Sequence, residues 1–171
     1  KVWENSFGGA ETDRAFSLVK ATDGNYILTG ESRSINGDVS NSKGGGDIWI
    51  VKFNASNGAI VWEQSYGGTE FDTSRGITKL ENDYYAIAGS ARSSDIDLTT
   101  NYGANDAWLI LIDENGNLKF EKNVGGSDID FANKTIGTNE NEIIVVGSSL
   151  SNDGDILINK GNKDVLIFKI R

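Results

Sequence analysis

The chain has 171 residues, 37% of them apolar, and a net charge of −9, which is length and apolar content enough for one domain with a real core. Proline, methionine, cysteine and histidine are all absent, so disulfides, thiol nucleophiles, thiolate or imidazole metal sites and a Ser-His-Asp triad are excluded. The acidic surface repels phosphate backbones, which disfavours nucleic acid as a partner, and no segment approaches the roughly 18 apolar residues that span a bilayer.

Taken in chain order, Val2–Phe7 reads as a short strand that ends in Gly8-Gly9. Four further strands follow, expected near Arg14–Lys20, Tyr26–Gly30, Ile48–Phe53 and Ile60–Ser65, and they are called A, B, C and D here. The same succession then returns. Trp3-Glu4, Gly8-Gly9, Asp13, Gly30, Ser34, Asp38, Gly44 and Asp47 recur as Trp62-Glu63, Gly67-Gly68, Asp72, Gly89, Ser93, Asp97, Gly103 and Asp106. They recur again as Phe120-Glu121, Gly125-Gly126, Asp130, Gly147, Ser151, Asp155, Gly161 and Asp164. In each copy 17 residues separate the first aspartate from the glycine, and 17 more separate that glycine from the last aspartate. The period is 59 and then 58, with the additional residue in Ala55-Ser56-Asn57-Gly58. Self-similarity at such a period marks a repeat architecture. The repeats run over 1–61, 62–119 and 120–171 within a single segment, 1–171.

The C runs, Ile48-Trp49-Ile50-Val51, Ala107–Ile112 and Val165–Phe168, are apolar without alternation. The B runs Tyr26–Leu28, Tyr85–Ala88 and Ile143–Val146 are similar. Continuous apolar runs belong to strands covered on both faces, whereas a sheet with one wet face would alternate. Sheets stacked face to face around an axis meet this need, so the expected fold is all-β, with three four-stranded antiparallel β-propeller blades. The paired glycines are expected to supply positive φ, Asp13, Asp72 and Asp130 to accept backbone N–H groups, and Asn57-Gly58 and Asn115-Gly116 to turn hairpins. Trp49 and Trp108 are expected in the core, and Trp3 and Trp62, matched by Phe120, between neighbouring blades.

The string Gly-Gly-x3-Asp, apolar strand, Gly, Ser-x3-Asp, Gly-x2-Asp, apolar-Lys and Asn-Gly-x3-Trp resembles the SBBP-type bacterial β-propeller repeat, and is similar to propeller repeats of secreted and surface proteins of the Bacteroidetes type. The resemblance covers essentially the whole chain. One position departs from it, Leu111 standing where Lys52 and Lys169 stand in the other copies. It implies an exported module, extracellular or at the cell surface, and no activity. No charged-then-apolar leader opens the chain at Lys1-Val2-Trp3, so an export signal is expected to have been removed or to lie outside these residues.

Closed propellers usually have four to eight blades. Three blades therefore imply a slice of a longer ring, half of a six-bladed ring closed by a head-to-tail homodimer, or an open arc.

The long polar B–C connections, Glu31–Gly46, Ser90–Asn105 and Ser148–Lys163, are the expected contact surface. Arg33, Asn36, Asp38, Arg92, Asp97 and Asp155 are the candidate contact residues on it, for a protein or a glycan. Asp95/Asp97 and Asp153/Asp155 have a spacing that could offer oxygens to calcium, although turn residues bonding their own backbone use the same pattern. No other cofactor is expected. A glycosidase needs two carboxyl groups at a set separation, and the acids here mostly recur in every copy, as structural residues do. The expected role is therefore a non-catalytic scaffold or interaction module, with a carbohydrate- or calcium-binding lectin-like module as the alternative.

Overall fold

A computed structural model describes residues 1–138 and 142–171. Among these residues the chain is all-β, with no α-helix and a single 3-10 turn at Glu81–Asp83. The first sheet is a four-stranded antiparallel meander of β1 (Asp13–Lys20), β2 (Tyr26–Ser32), β3 (Asp47–Phe53) and β4 (Ile60–Tyr66). The second repeats it with β5 (Asp72–Lys79), β6 (Tyr85–Ala91), β7 (Asp106–Ile112) and β8 (Leu118–Val124). The third has three strands, β9 (Asp130–Gly137), β10 (Ile143–Ser149) and β11 (Asp164–Ile170). The expected A, B, C and D strands of the first copy are present, each extended by a residue or two, whereas the third sheet has three strands where four were expected. No closed barrel or ring forms among the described residues.

The middle sheet is covered on both faces, as its apolar runs require. Ile87, Trp108, Ile110 and Ile112 meet Ile27, Ile48 and Ile50 of the first sheet. On its opposite face Ala86, Ala88 and Leu109 meet Ala132 and Val145 of the third. Every residue of β6 is buried. At roughly 1.5–3 kcal/mol for each fully buried large aliphatic side chain, these two layers dominate the favourable side of folding. By contrast, β11 alternates between half-buried and exposed positions, with Val165 81% and Ile167 65% exposed.

The repeat glycine of each B strand has a steric cause. A β-bulge interrupts β1 between Ala15 and Ser17, β5 between Ser74 and Gly76, and the β9–β10 ladder at the matching place. A Cβ on Gly30, Gly89 or Gly147 would lie 1.7, 2.2 and 1.7 Å from the carbonyl oxygens of Arg14, Thr73 and Phe131. The bulge folds the inner strand against its neighbour, and only glycine leaves room.

The two complete C–D hairpins explain the unequal period. In the second sheet Gly116 N–H donates to Asp113 O at 3.0 Å, a four-residue turn. In the first, Gly58 N–H donates to Asn54 O at 2.8 Å and closes a turn one residue longer. Gly58 and Gly116 have φ of 70° and 78°, while Asn57 and Asn115 do not have positive φ. The turns are thus longer than a two-residue Asn-Gly hairpin.

Two expectations need correction. Val2–Phe7 forms no ladder with any strand. It follows the outside of the β3–β4 hairpin, where Trp3 Nε1 donates to Ala55 O (3.3 Å) and Asn5 Nδ2 to Asn57 O (3.0 Å). Trp62 Nε1 donates to Glu114 O in the same way (3.2 Å), so this segment stands to the first sheet as β4 stands to the second. Trp49 and Trp108 are buried and Trp62 is half-buried, but Trp3, which meets Phe53 edge-on at 6.0 Å, is 38% exposed.

Candidate functional site

Each B–C connection folds against the Gly-Gly segment that precedes its own sheet, and carboxylates hold the two together. In the second sheet Asp72, fully buried, accepts from Gly68 N–H (2.9 Å), Arg92 N–H (3.0 Å), Ser93 N–H (3.2 Å) and Ser93 Oγ–H (2.7 Å). Ser93 Oγ in turn accepts from Glu70 N–H (3.0 Å), Asp95 Oδ1 from Thr69 N–H (2.9 Å) and Asp97 Oδ2 from Gly67 N–H (3.1 Å). Four successive N–H groups, Gly67 to Glu70, are therefore satisfied by side chains, three from the loop and one, that of Gly68, by Asp72 of β5. A stretch of irregular backbone can be buried only if its donors are satisfied in this way.

The first sheet uses Asp13 for Gly9, Ser34 for Glu11, Asn36 for Ala10 and Asp38 for Gly8, at 2.8–3.0 Å. The third uses Asp130 for Gly126, Ser151 for Asp128 and Asp153 for Ser127, at 2.7–3.0 Å. The second glycine of each pair is required by close approach. A Cβ on Gly9 would lie 2.3 Å from Asn36 O, on Gly68 2.1 Å from Asp95 Oδ1 and on Gly126 2.3 Å from Asp153 Oδ1.

The far end of each connection bonds forward to the next sheet. Asp72 N–H donates to Gly46 O at 2.8 Å and Asp130 N–H to Asn105 O at 2.6 Å. A Cβ on Gly44 would lie 2.3 Å from Gly68 O, and on Gly103 2.2 Å from Gly126 O, whereas Gly161 has nothing within 4 Å. The loop face is a rigid frame of interlocked turns.

Of the candidate contact residues, Asn36, Asp38 and Asp97 are thus engaged in the frame, and Asp97 also pairs with Lys43 at 3.4 Å. Arg33 lies over the Phe71 ring, 4.9 Å from its centroid. Arg92 donates its backbone N–H to Asp72, and Asp155 donates its own to Gly125 O at 2.8 Å. For the calcium reading, Asp95 and Asp153 point at Thr69 and Ser127, whose N–H groups they accept. The Ser127 bond holds the Asp153 carboxyl below its ordinary value. Among the described residues no three His, Cys, Asp or Glu side chains are grouped as a cation would need, and no helix is long and apolar enough to cross a membrane.

Two features were not foreseen. The first is a pair of buried carboxylates at each sheet junction. A Cβ on Gly125 would touch both Asp106 Oδ1 (2.4 Å) and Asp130 Oδ2 (2.8 Å), and one on Gly67 both Asp47 Oδ1 and Asp72 Oδ2 (2.6 Å each). Desolvation, followed by the charges of Asp130 and Asp155, pushes Asp106 up to about 6 despite the N–H it accepts from Tyr102. The signal for these pairs was the recurrence of an aspartate at both ends of every copy, the last of one copy meeting the first of the next.

The second lies at the opposite end of the sheets. Buried Lys52 bonds Glu114 Oε1 at 2.5 Å and Asp23 Oδ2 at 2.9 Å, and the Tyr85 hydroxyl donates to Glu114 Oε2. Desolvation lowers the Lys52 ammonium pKa, but the two carboxylates outweigh it and hold it above the ordinary value. These partners are spread over 91 positions between Asp23 and Glu114 and follow no repeat spacing.

Comparison with known proteins finds no matching family model and no matching curated protein.

Proposed function

We propose that the chain is a non-catalytic β-propeller module, of the SBBP type seen in exported bacterial proteins, that acts as an interaction scaffold. The observation that carries the reading is the use of the repeated loop carboxylates. Asp13, Asp38, Asp72, Asp95, Asp97, Asp130 and Asp153 each accept a backbone N–H of a Gly-Gly segment. Side chains so engaged build a fixed platform, and their recurrence in each copy is the mark of a scaffold. Strands of the second sheet lie against those of the first, and strands of the third against the second, which is how blades stack around a propeller axis.

On this reading the module works outside the cell or at its surface, and its partner is a protein or glycan that meets the loop face. Exposed side chains there, Ile35 and Tyr102 among them, would supply the contacts. Surface plasmon resonance of the immobilised chain against glycan and peptide libraries tests this. Binding that falls when Ile35→Asp and Tyr102→Asp are introduced, with the melting temperature unchanged, supports it. A multi-repeat chain whose small-angle scattering gives an extended rod rather than a disc would remove the propeller reading.

A further inference from the structure

The outer edge of β11 differs chemically from the edges of β3 and β7. On those two strands the outer neighbour carries a glutamate held by three donors. Glu63 accepts from Trp49 Nε1 (2.8 Å), Ser40 N–H (3.3 Å) and the Ser40 hydroxyl. Glu121 accepts from Trp108 Nε1 (3.1 Å), Thr99 N–H (3.3 Å) and Thr99 Oγ1 (2.5 Å). In the third copy the positions of Trp49/Trp108 and Ser40/Thr99 are Leu166 and Leu157. Both side-chain donors are gone, and the two leucines line a groove of about 270 Å³ with Ile156 and Val165. Leu157 is 89% exposed.

Other parts of the same edge keep the form of a seat. Gly161 has the place that close approach of the next Gly-Gly segment imposes on Gly44 and Gly103. The cleft beside Phe120, about 680 Å³ and bounded by Leu111 and Ile170, lies where the β7–β8 hairpin covers Trp62 in the preceding junction.

We propose that β11 takes an outer strand bearing an apolar residue at the glutamate position, followed by Gly-Gly, and so excludes Val2–Phe7 of a second copy as its partner. By the register of β3 with β4 and β7 with β8, that segment would set Trp3 opposite Lys169 and Phe7 opposite Val165. Glu4 would then lie beside Leu166 and Leu157, its charge desolvated with neither side-chain donor. The partner is a strand of a different repeat, which deepens the scaffold reading by making the edge select its neighbour.

The test uses two labelled nine-residue peptides, the Ile60–Gly68 sequence as it stands and the same sequence with Glu63→Leu, titrated into the 171-residue chain by fluorescence anisotropy. The Glu63→Leu peptide is expected to bind at least about tenfold more tightly. In the chain carrying Leu157→Thr and Leu166→Trp the preference reverses, since both donors are restored. Equal affinities, binding of neither peptide, or a chain that is a dimer in solution and becomes monomeric on Glu4→Arg would each overturn the proposal. The scattering test of the scaffold reading concerns how sheets stack and is independent of which peptide this edge prefers.

Discussion

Lys52 and Glu114, on the first and second sheets, meet with Nζ 2.5 Å from Oε1, and the ammonium is almost completely buried. Glu114 also receives the Tyr85 hydroxyl and Lys52 also holds Asp23, so one cation fastens two sheets through three chain segments.

Removing one member of such a group leaves the other desolvated without its partner. Lys52→Met is therefore expected to destabilise the chain by about 3 kcal/mol, and Lys52→Met with Glu114→Gln by less than the sum of the two single changes. Urea unfolding followed by tryptophan fluorescence measures both.

The Asp106 carboxyl gives a pH dependence of definite sign. Its folded pKa, about 6, is above the ordinary 3.8, so the folded state holds this proton more tightly than the unfolded chain. The resulting stability is full below pH 3.8, declines as pH rises toward 6 and is absent above. Asp106→Asn keeps an acceptor for Tyr102 N–H and presents an NH₂ where the unpartnered Oδ1 faces Asp130. The variant is expected to match the parent near pH 4 and to exceed it by about 1–3 kcal/mol at pH 8, by paired urea titrations. A parent that is the more stable at pH 8 would refute the assignment.

The repeat glycines separate by what surrounds them. Gly103→Ala drives a Cβ into Gly126 O, where backbone must yield, and is expected to cost about 2–4 kcal/mol. Gly161→Ala, at the same repeat position with open space around it, is expected to change stability by less than about 0.5 kcal/mol. Thermal melts of the two variants give the comparison directly.

Asp72 accepts four hydrogen bonds in a site closed to water. Asp72→Ala leaves three backbone N–H groups and one hydroxyl without it, and a loss of about 3–5 kcal/mol is expected. Hydrogen exchange should show lost protection concentrated at Gly68, Arg92 and Ser93.

The strands were legible because their burial is dictated by neighbours that the repeat itself supplies. Ile48, Ile50, Trp108 and Ile110 are apolar in an unbroken run, and the sheets on either side are copies of the same pattern. The turn role of Asp13, Asp72 and Asp130 was legible for a similar reason, since an acid before a strand and after Gly-Gly has local donors within reach. What could not be read is contact between side chains in different copies at unmatched positions. Lys52 finds Glu114 only once the sheets are stacked, and Leu111, its counterpart in the second copy, has no such role. The bulges in β1, β5 and β9 were likewise hidden, because the additional residues Phe16, Arg75 and Asn133 share no chemistry. Only the glycines opposite them bear the imprint.

The unequal C–D turns have a consequence for how such a chain tolerates change in length. Going from the four-residue turn at Asp113–Gly116 to the longer one at Asn54–Gly58 leaves the ladder registers on both sides the same, residue for residue. Insertions at this outer corner are absorbed locally, whereas one between Ser34 and Asp38 would move a side chain away from the N–H group it serves. The outer corner is thus the natural port for grafting an epitope or an added domain, and the stretch from Ser34 to Asp38, with its counterparts, is the part of the repeat that must keep its length.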